Sequence, residues 1–390
     1  MPASLYHPAF QRWRIRAADH NFGVPAEVVA ATVGFMEAAS VLYHFENDRK
    51  AAIRPHLQEA IKRSVQHAVN FDFDGKITIP ASWTAIRRSV PVLVVEEEHE
   101  SADSNQDATI QAAFSMRSAW FDDDMTVFRN LACCPTFLLG LSGAHLVISV
   151  AVLTDKLIVE RLASLWVGRS STHDKHQTRV VSRALYAFSF SIDELQEWYK
   201  SLHACIPFDE EKIIPANHTR FFPFVCRYPL DAENFANAVE FEYRCPLQPN
   251  QSTCVAFRAT TKESNPKEVV VKFVQRYCRE AHDILAIAGM APALLYYGRI
   301  DPDVDYGDWK MVVMEYFDGK PSYEDNRHRE RVMEAIQLVH AEGYVLGDIR
   351  PPNVMVGEEC EVRLIDFDWA GGDECALYPP LVYVNRKNLG

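Results

Sequence analysis

Leu346-Gly347-Asp348-Ile349-Arg350-Pro351-Pro352-Asn353, followed by Leu364-Ile365-Asp366-Phe367-Asp368, is the part of this chain on which its fold class turns. The spacing D-x-x-x-x-N sets a carboxylate and an amide at the two ends of one tight loop. Asp366 stands 13 residues beyond Asn353 and closes a short apolar run that reads as a strand. Two acids and an amide are oxygen donors of the kind a hard divalent cation takes. Two unrelated acidic loops would have to produce the spacing, the proline pair, the apolar run and the second acid together, so one shared site is the better reading.

Upstream, Val269-Val270-Val271-Lys272 reads as a buried strand whose last side chain can aim an ammonium at phosphates. Taken alone, it is equally a strand-end lysine with its head in water. Met311 to Phe317 is a second apolar strand, running into Asp318-Gly319. In chain order these segments offer what phosphoryl transfer needs. Lys272 is the cation for the phosphates, the second strand borders a slot for a base, Asp348 faces the attacking hydroxyl, and Asn353 and Asp366 hold the metal.

The segments VVVKF, VMEYFDG, LVHAEGYVLGDIRPPNVMV and LIDFDWAG together resemble the protein-kinase superfamily. More narrowly, they are similar to fungal protein-kinase-like proteins whose lobe ends in DFDWAG followed by YP. The resemblance covers about 240–385 and implies an α+β domain of two lobes with ATP and Mg²⁺ in the cleft. It implies Asp348 as base, Lys272 as phosphate clamp with Glu280 as its helix partner, and Asn353 and Asp366 as Mg²⁺ ligands. Met314 would stand at the back of the adenine pocket, and the main chain of Glu315 and Phe317 would bind the base. A protein Ser or Thr is the acceptor it implies.

The chain also departs from that pattern. The turn from Arg244 to Ser252 has no glycine, Leu346 and Gly347 replace the usual His and Arg, Arg350 replaces Lys, and Asp368 replaces Gly. Glu280 is one residue out of register with Ile284-Leu285. Only 24 residues follow Asp366, so the expected large lobe is truncated. These departures keep open a second reading, a pseudokinase that serves as an interaction module. A helix at about 327–342 carries an apolar stripe, Val332, Ile336 and Val339, that needs a partner. The expected cover is the N-terminal domain or the aromatic Phe221-Phe222-Pro223-Phe224 segment.

The N-terminal half alternates helices (24–43, 48–69, 108–120, 175–190, then a new one at the capping box Ser191 to Glu194) with strands (76–79, 91–96, 136–141, 145–153). That pattern predicts an α/β domain with a mixed sheet and flanking helices. More weakly, it resembles the restriction-endonuclease-like PD-(D/E)-x-K domains of Crinkler-type proteins. Glu96, Glu98 and Gln111 are then a metal-binding remnant, with Asp72 or Asp74 as an upstream acid. Glu98 stands where the nuclease lysine belongs, so a degenerate site is expected, with a Mg²⁺-dependent nuclease as the third reading. A solvated acidic strand end explains the same residues more simply. The predicted domains are 1–205, a linker at 206–238, and the kinase-like 239–390.

Composition sets outer bounds. A formal net charge of -13 disfavours a broad nucleic-acid footprint. Nine cysteines without a C-x-x-C pair read as reduced thiols. The N-terminus has no apolar signal core, and the most apolar stretch, Phe137 to Leu153, reads as two strands around Ser142-Gly143. A cytoplasmic or nuclear protein without a membrane span is expected.

Overall fold

The computed structural model describes residues 2–63, 75–79, 90–98, 107–169, 174–203, 215, 217–230, 234–248, 255–321 and 326–372. Asp72, Asp74, the loop 99–106, the tip of the Arg244 to Ser252 turn, most of 204–216 and the YP segment lie outside the described residues. The chain divides into two compact units, Met1–Val225 and Cys226–Gly390.

The first unit begins with α1 (Pro8–Ala18), α2 (Ala26–Ala39) and α3 (Glu46–Ala60). There follow β1 (Gly75–Ile79), β2 (Val90–Glu98), α4 (Ala108–Phe121), α5 (Thr126–Leu131), β3 (Thr136–Ser142), β4 (His145–Leu153), β5 (Leu157–Trp166) and α6 (Asp174–His203). The five strands form one sheet in sequence order; β2 and β3 run parallel across α4 and α5, and the other pairs are antiparallel. Val90 to Val95 is an unbroken apolar run because this strand is covered on both faces. Phe137 packs its ring against Phe10 of α1 and Phe188 of α6. Gly140, three residues on and so on the opposite face, lies against the start of α4, where a Cβ would meet Thr109 N at 2.8 Å. The sheet is therefore sandwiched between α4 and the α1–α6 pair.

Two expectations change here. The helix over 175–190 does not restart at Ser191; α6 is one 30-residue helix. The groups that read as a capping box are turned toward α1: Ser191 Oγ accepts from Arg16 and the Glu194 carboxylate accepts from Arg12 and Arg16. Phe221 to Phe224 lies in the first unit, where the Phe224 N–H donates to Leu5 O at 2.9 Å and Arg220 donates to the carbonyls of Arg129 and Thr154.

The second unit opens with β6 (Arg227–Pro229), β7 (Ala238–Pro246), β8 (Ala256–Thr261) and β9 (Glu268–Val274). Then come α7 (Arg279–Ile287), β10 (Leu294–Gly298) and β11 (Lys310–Glu315). These six strands make an antiparallel sheet in the order β10-β11-β9-β8-β7-β6. Gly289, at φ +68°, ends α7 in a Schellman motif: its N–H donates to Ala286 O and that of Met290 to Leu285 O.

The remainder is β12 (Lys320–Pro321), α8 (Asn326–Ala341), β13 (Tyr344–Val345), β14 (Val354–Val356), β15 (Val362–Leu364) and β16 (Gly371–Gly372). β14 pairs with β12 and β15, and β13 with β16. Of the stripe on α8, Val339 is buried inside its own unit with Val332 half-buried beside it, while Ile336 is half-buried and Ala335 takes the buried place. Ala335 and Val339, flanked by Val332, pack with Ala281 and Leu285 of α7 and Val362 and Leu364 of β15. The cover expected from Phe221 to Phe224 thus comes from α7 and β15.

Candidate active site

Alternation along β9 buries Val269, Val271 and Phe273 on one face and turns Lys272 to the other. Its Nζ donates to Asp366 Oδ1 at 2.7 Å and to Asp368 Oδ1 at 2.6 Å. Burial works against the ammonium, but the two carboxylates outweigh it and hold Lys272 above its ordinary pKa. Burial also works against the Asp366 carboxylate, and the lysine reverses this and holds it below the usual range. Asp368 goes the other way: burial, reinforced by Asp366, pushes it up to about 7 although Lys272 opposes the rise.

Asp366 has φ +70°, a left-handed conformation that costs a non-glycine residue free energy. Its neighbours hold it there. Leu364 N–H donates to Met290 O at 2.7 Å, and Ile365 N–H to Asn353 O at 3.0 Å. Phe367 is buried with its ring stacked on His282 of α7, centroids 4.5 Å apart and planes 10° off parallel. Tyr277 Oη donates to His282 Nδ1, whose Nε2–H donates to Pro292 O. Burial lowers the His282 pKa, in keeping with the neutral ring these bonds require.

The Asp348 loop faces the same cavity, which Leu346, Gly347, Asp348, Asn353, Asp366 and Phe367 help to line. Asn353 Nδ2 donates to the Asp348 carbonyl at 2.9 Å and to its Oδ2 at 3.0 Å, and Arg350 pairs with the same carboxylate oxygen at 3.0 Å. Trp369 O approaches Gly347 so closely that a Cβ would lie 2.3 Å from it. Gly347 is thus a packing requirement of this loop.

Asp348, Asn353 and Asp366 line one cavity, and Lys272 reaches them through its bond to Asp366. Glu280 does not join them. Helix α7 starts only at Arg279, so Glu280 is an exposed first-turn residue, placed to favour the positive helix end, and its carboxylate accepts from the Cys278 thiol. The lysine partners are Asp366 and Asp368. The sequence showed Asp368 only as a departure, and its two-residue spacing from Asp366 was the signal that it could share the lysine. Met314 is buried at the end of β11. Glu315 N–H donates to Ala293 O and Tyr316 N–H to Glu268 O, while the Phe317 N–H has no such bond among the described residues.

For Mg²⁺ the donor set fits. Asp366 offers a carboxylate, and Asn353, its amide nitrogen spent on Asp348, offers Oδ1. Among the described residues no group of three or more His, Cys, Asp or Glu could hold a metal ion.

In the first unit, Glu96 and Glu97 are buried and correct the expectation of a solvated acidic strand end. Glu96 accepts from Ser115 Oγ at 2.6 Å, and Glu97 pairs with Arg54 at 3.1 Å. Glu98 ends β2, where its carbonyl accepts from Arg49. Gln111 lies one turn before Ser115 on α4, its N–H bonded to Asp107 O.

No family model matches the chain. Over 85 residues, 19% of the chain, it is 32% identical to Serine/threonine-protein kinase ppk31 of Schizosaccharomyces pombe. The match spans 8% of that protein's length. The comparison supports a kinase-like relationship at most, and nothing in it supports the nuclease likeness of the first unit. Among the described residues no helix is long and apolar enough to cross a membrane.

Proposed function

We propose that the second unit is a protein-kinase-like phosphotransferase that moves the γ-phosphoryl group of ATP to a hydroxyl, with a protein Ser or Thr as acceptor. The observation that carries this is the 2.7 Å pair between Lys272 of β9 and Asp366, which lines one cavity with Asp348 and Asn353. Lys272 binds the phosphates, and the main chain after Met314 borders the base. Asp348 accepts the acceptor's proton, held in place by Asn353 and Arg350. Asn353 and Asp366 hold Mg²⁺, which when bound neutralises phosphate charge. The antiparallel sheet with one helix between β9 and β10 is the arrangement this reading requires, and the short match to a serine/threonine kinase agrees with it.

One observation favours a second reading, a pseudokinase interaction module that binds nucleotide weakly or not at all: the sequence from Arg244 to Ser252 has no glycine to let phosphates approach the backbone. Two measurements separate them. Mg-ATP raises the melting temperature under the first, and Asp366→Ala removes the Mg²⁺-dependent part. Incorporation of labelled phosphate, cut about 10²–10⁴-fold by Asp348→Asn, belongs to the first alone. No melting shift at millimolar Mg-ATP leaves only the second reading.

A further inference from the structure

Helix α7 contains two acids, Glu280 and Asp283, and neither meets Lys272. Glu280 is exposed beside the Cys278 thiol, and Asp283 pairs with Arg279 at 3.2 Å. The buried face of α7 is Ala281, His282 and Leu285, with no carboxylate. Both acids that hold the lysine come from the loop after β15. The left-handed turn at Asp366 and the inward stacking of Phe367 on His282 bring the carboxylates at 366 and 368 to the same ammonium.

We propose that Asp368 is the positioning residue of Lys272, so that the phosphate clamp is set by the metal-binding loop and not by an ion pair to helix α7. An ammonium has three hydrogens, and two of Lys272's are taken by Asp366 and Asp368. A divalent cation on Asp366 competes for that carboxylate, leaving Asp368 to hold Nζ in place with its other hydrogens toward the phosphates. In protein kinases generally, movement of the corresponding helix makes or breaks the lysine–glutamate pair and so controls activity. Here a shift of α7 breaks no lysine pair, and control by that route is absent. The consequence for catalysis rests on the phosphotransferase reading; the pairing itself does not.

The test is a pair of double-mutant cycles on the full chain, read first as melting temperature without nucleotide. Asp368→Asn should lower the melting temperature of the wild type, because it removes a partner of the buried ammonium, and lose that effect in a Lys272→Met background, where no ammonium is left to pair. Glu280→Gln should act alike in both backgrounds. The second reading is affinity for a fluorescent ATP analogue. Asp368→Asn should weaken binding roughly tenfold with or without Mg²⁺, lose that effect when Lys272 is Met, and be partly rescued by Asp368→Glu. Coupling of Lys272 to Glu280, or none to Asp368, overturns the proposal. Melting coupling to Asp368 in a wild type that binds no nucleotide supports the pairing and overturns the phosphotransferase reading instead.

Discussion

His7 caps α1 by accepting the Ala9 N–H at Nδ1, 3.2 Å away, and its ring stands edge-on to Trp198. Burial, with Arg12 adding to it, pulls its pKa from 6.5 down to about 3. Above pH 6.5 the imidazole is neutral folded or unfolded, and it costs nothing. Below that, the unfolded chain takes up a proton that the fold refuses, so stability falls as pH drops toward 3, by up to about 1.4 kcal/mol per pH unit. His7→Asn keeps a capping acceptor without the titration. Denaturant unfolding of this variant between pH 6.5 and 5 should show a shallower pH slope than the wild type; equal slopes would mean that His7 is protonated in the fold. Gly347 gives a second residue-scale prediction. An alanine there must displace the Trp369 carbonyl, which is backbone and cannot swing aside. Gly347→Ala should cost about 1–3 kcal/mol and lower phosphate incorporation with it. An unaffected variant would show that the loop has room the geometry denies.

Elements were legible where burial was one-sided or complete. The continuous runs of β2, β3 and β4 announced covered strands; β9 read as an equally continuous run, and its alternation, with Lys272 opposite Val271 and Phe273, shows only in the burial of the folded strand. The site was legible for a similar reason: Asp348, Asn353 and Asp366 sit at fixed spacings within two short segments. What the sequence hid depends on partners remote in the chain. β5 is an edge strand that pairs only with β4, so its apolar residues are diluted with exposed ones. The two-residue spacing of Asp366 and Asp368 allowed them to share the lysine, but the left-handed turn at Asp366 that brings both to it is not encoded in that spacing. Ser191-x-x-Glu194 had the pattern of a helix start, yet Arg12 and Arg16 claim both side chains and α6 continues. Ser191→Ala should therefore act as the loss of one partly buried hydrogen bond, about 0.5–1.5 kcal/mol, and leave helix content by circular dichroism unchanged. A measurable loss of helix would restore the capping interpretation.

At the scale of the whole molecule, the buried apolar residues form separate cores. The largest draws on α1 to α6 and the first sheet and ends at Tyr199; those of the second unit begin beyond Cys226 and centre on α7, α8, β9, β11 and β15. A ligand of the Lys272 cleft stabilises the unit that binds it, and a cavity cut in the other core destabilises the unit that contains it. Calorimetry should then resolve two transitions with different sensitivities. Phe188→Ala removes a ring packed on Trp13 and Phe137 and should lower one transition by about 3–5 kcal/mol of stability. Mg-ATP should raise the other, and the two effects should add when combined, since Phe188 and the Lys272 cleft lie in different units. A single transition that moves with both perturbations would show that the units melt as one cooperative body, and the nucleotide would then be acting on the stability of the entire chain.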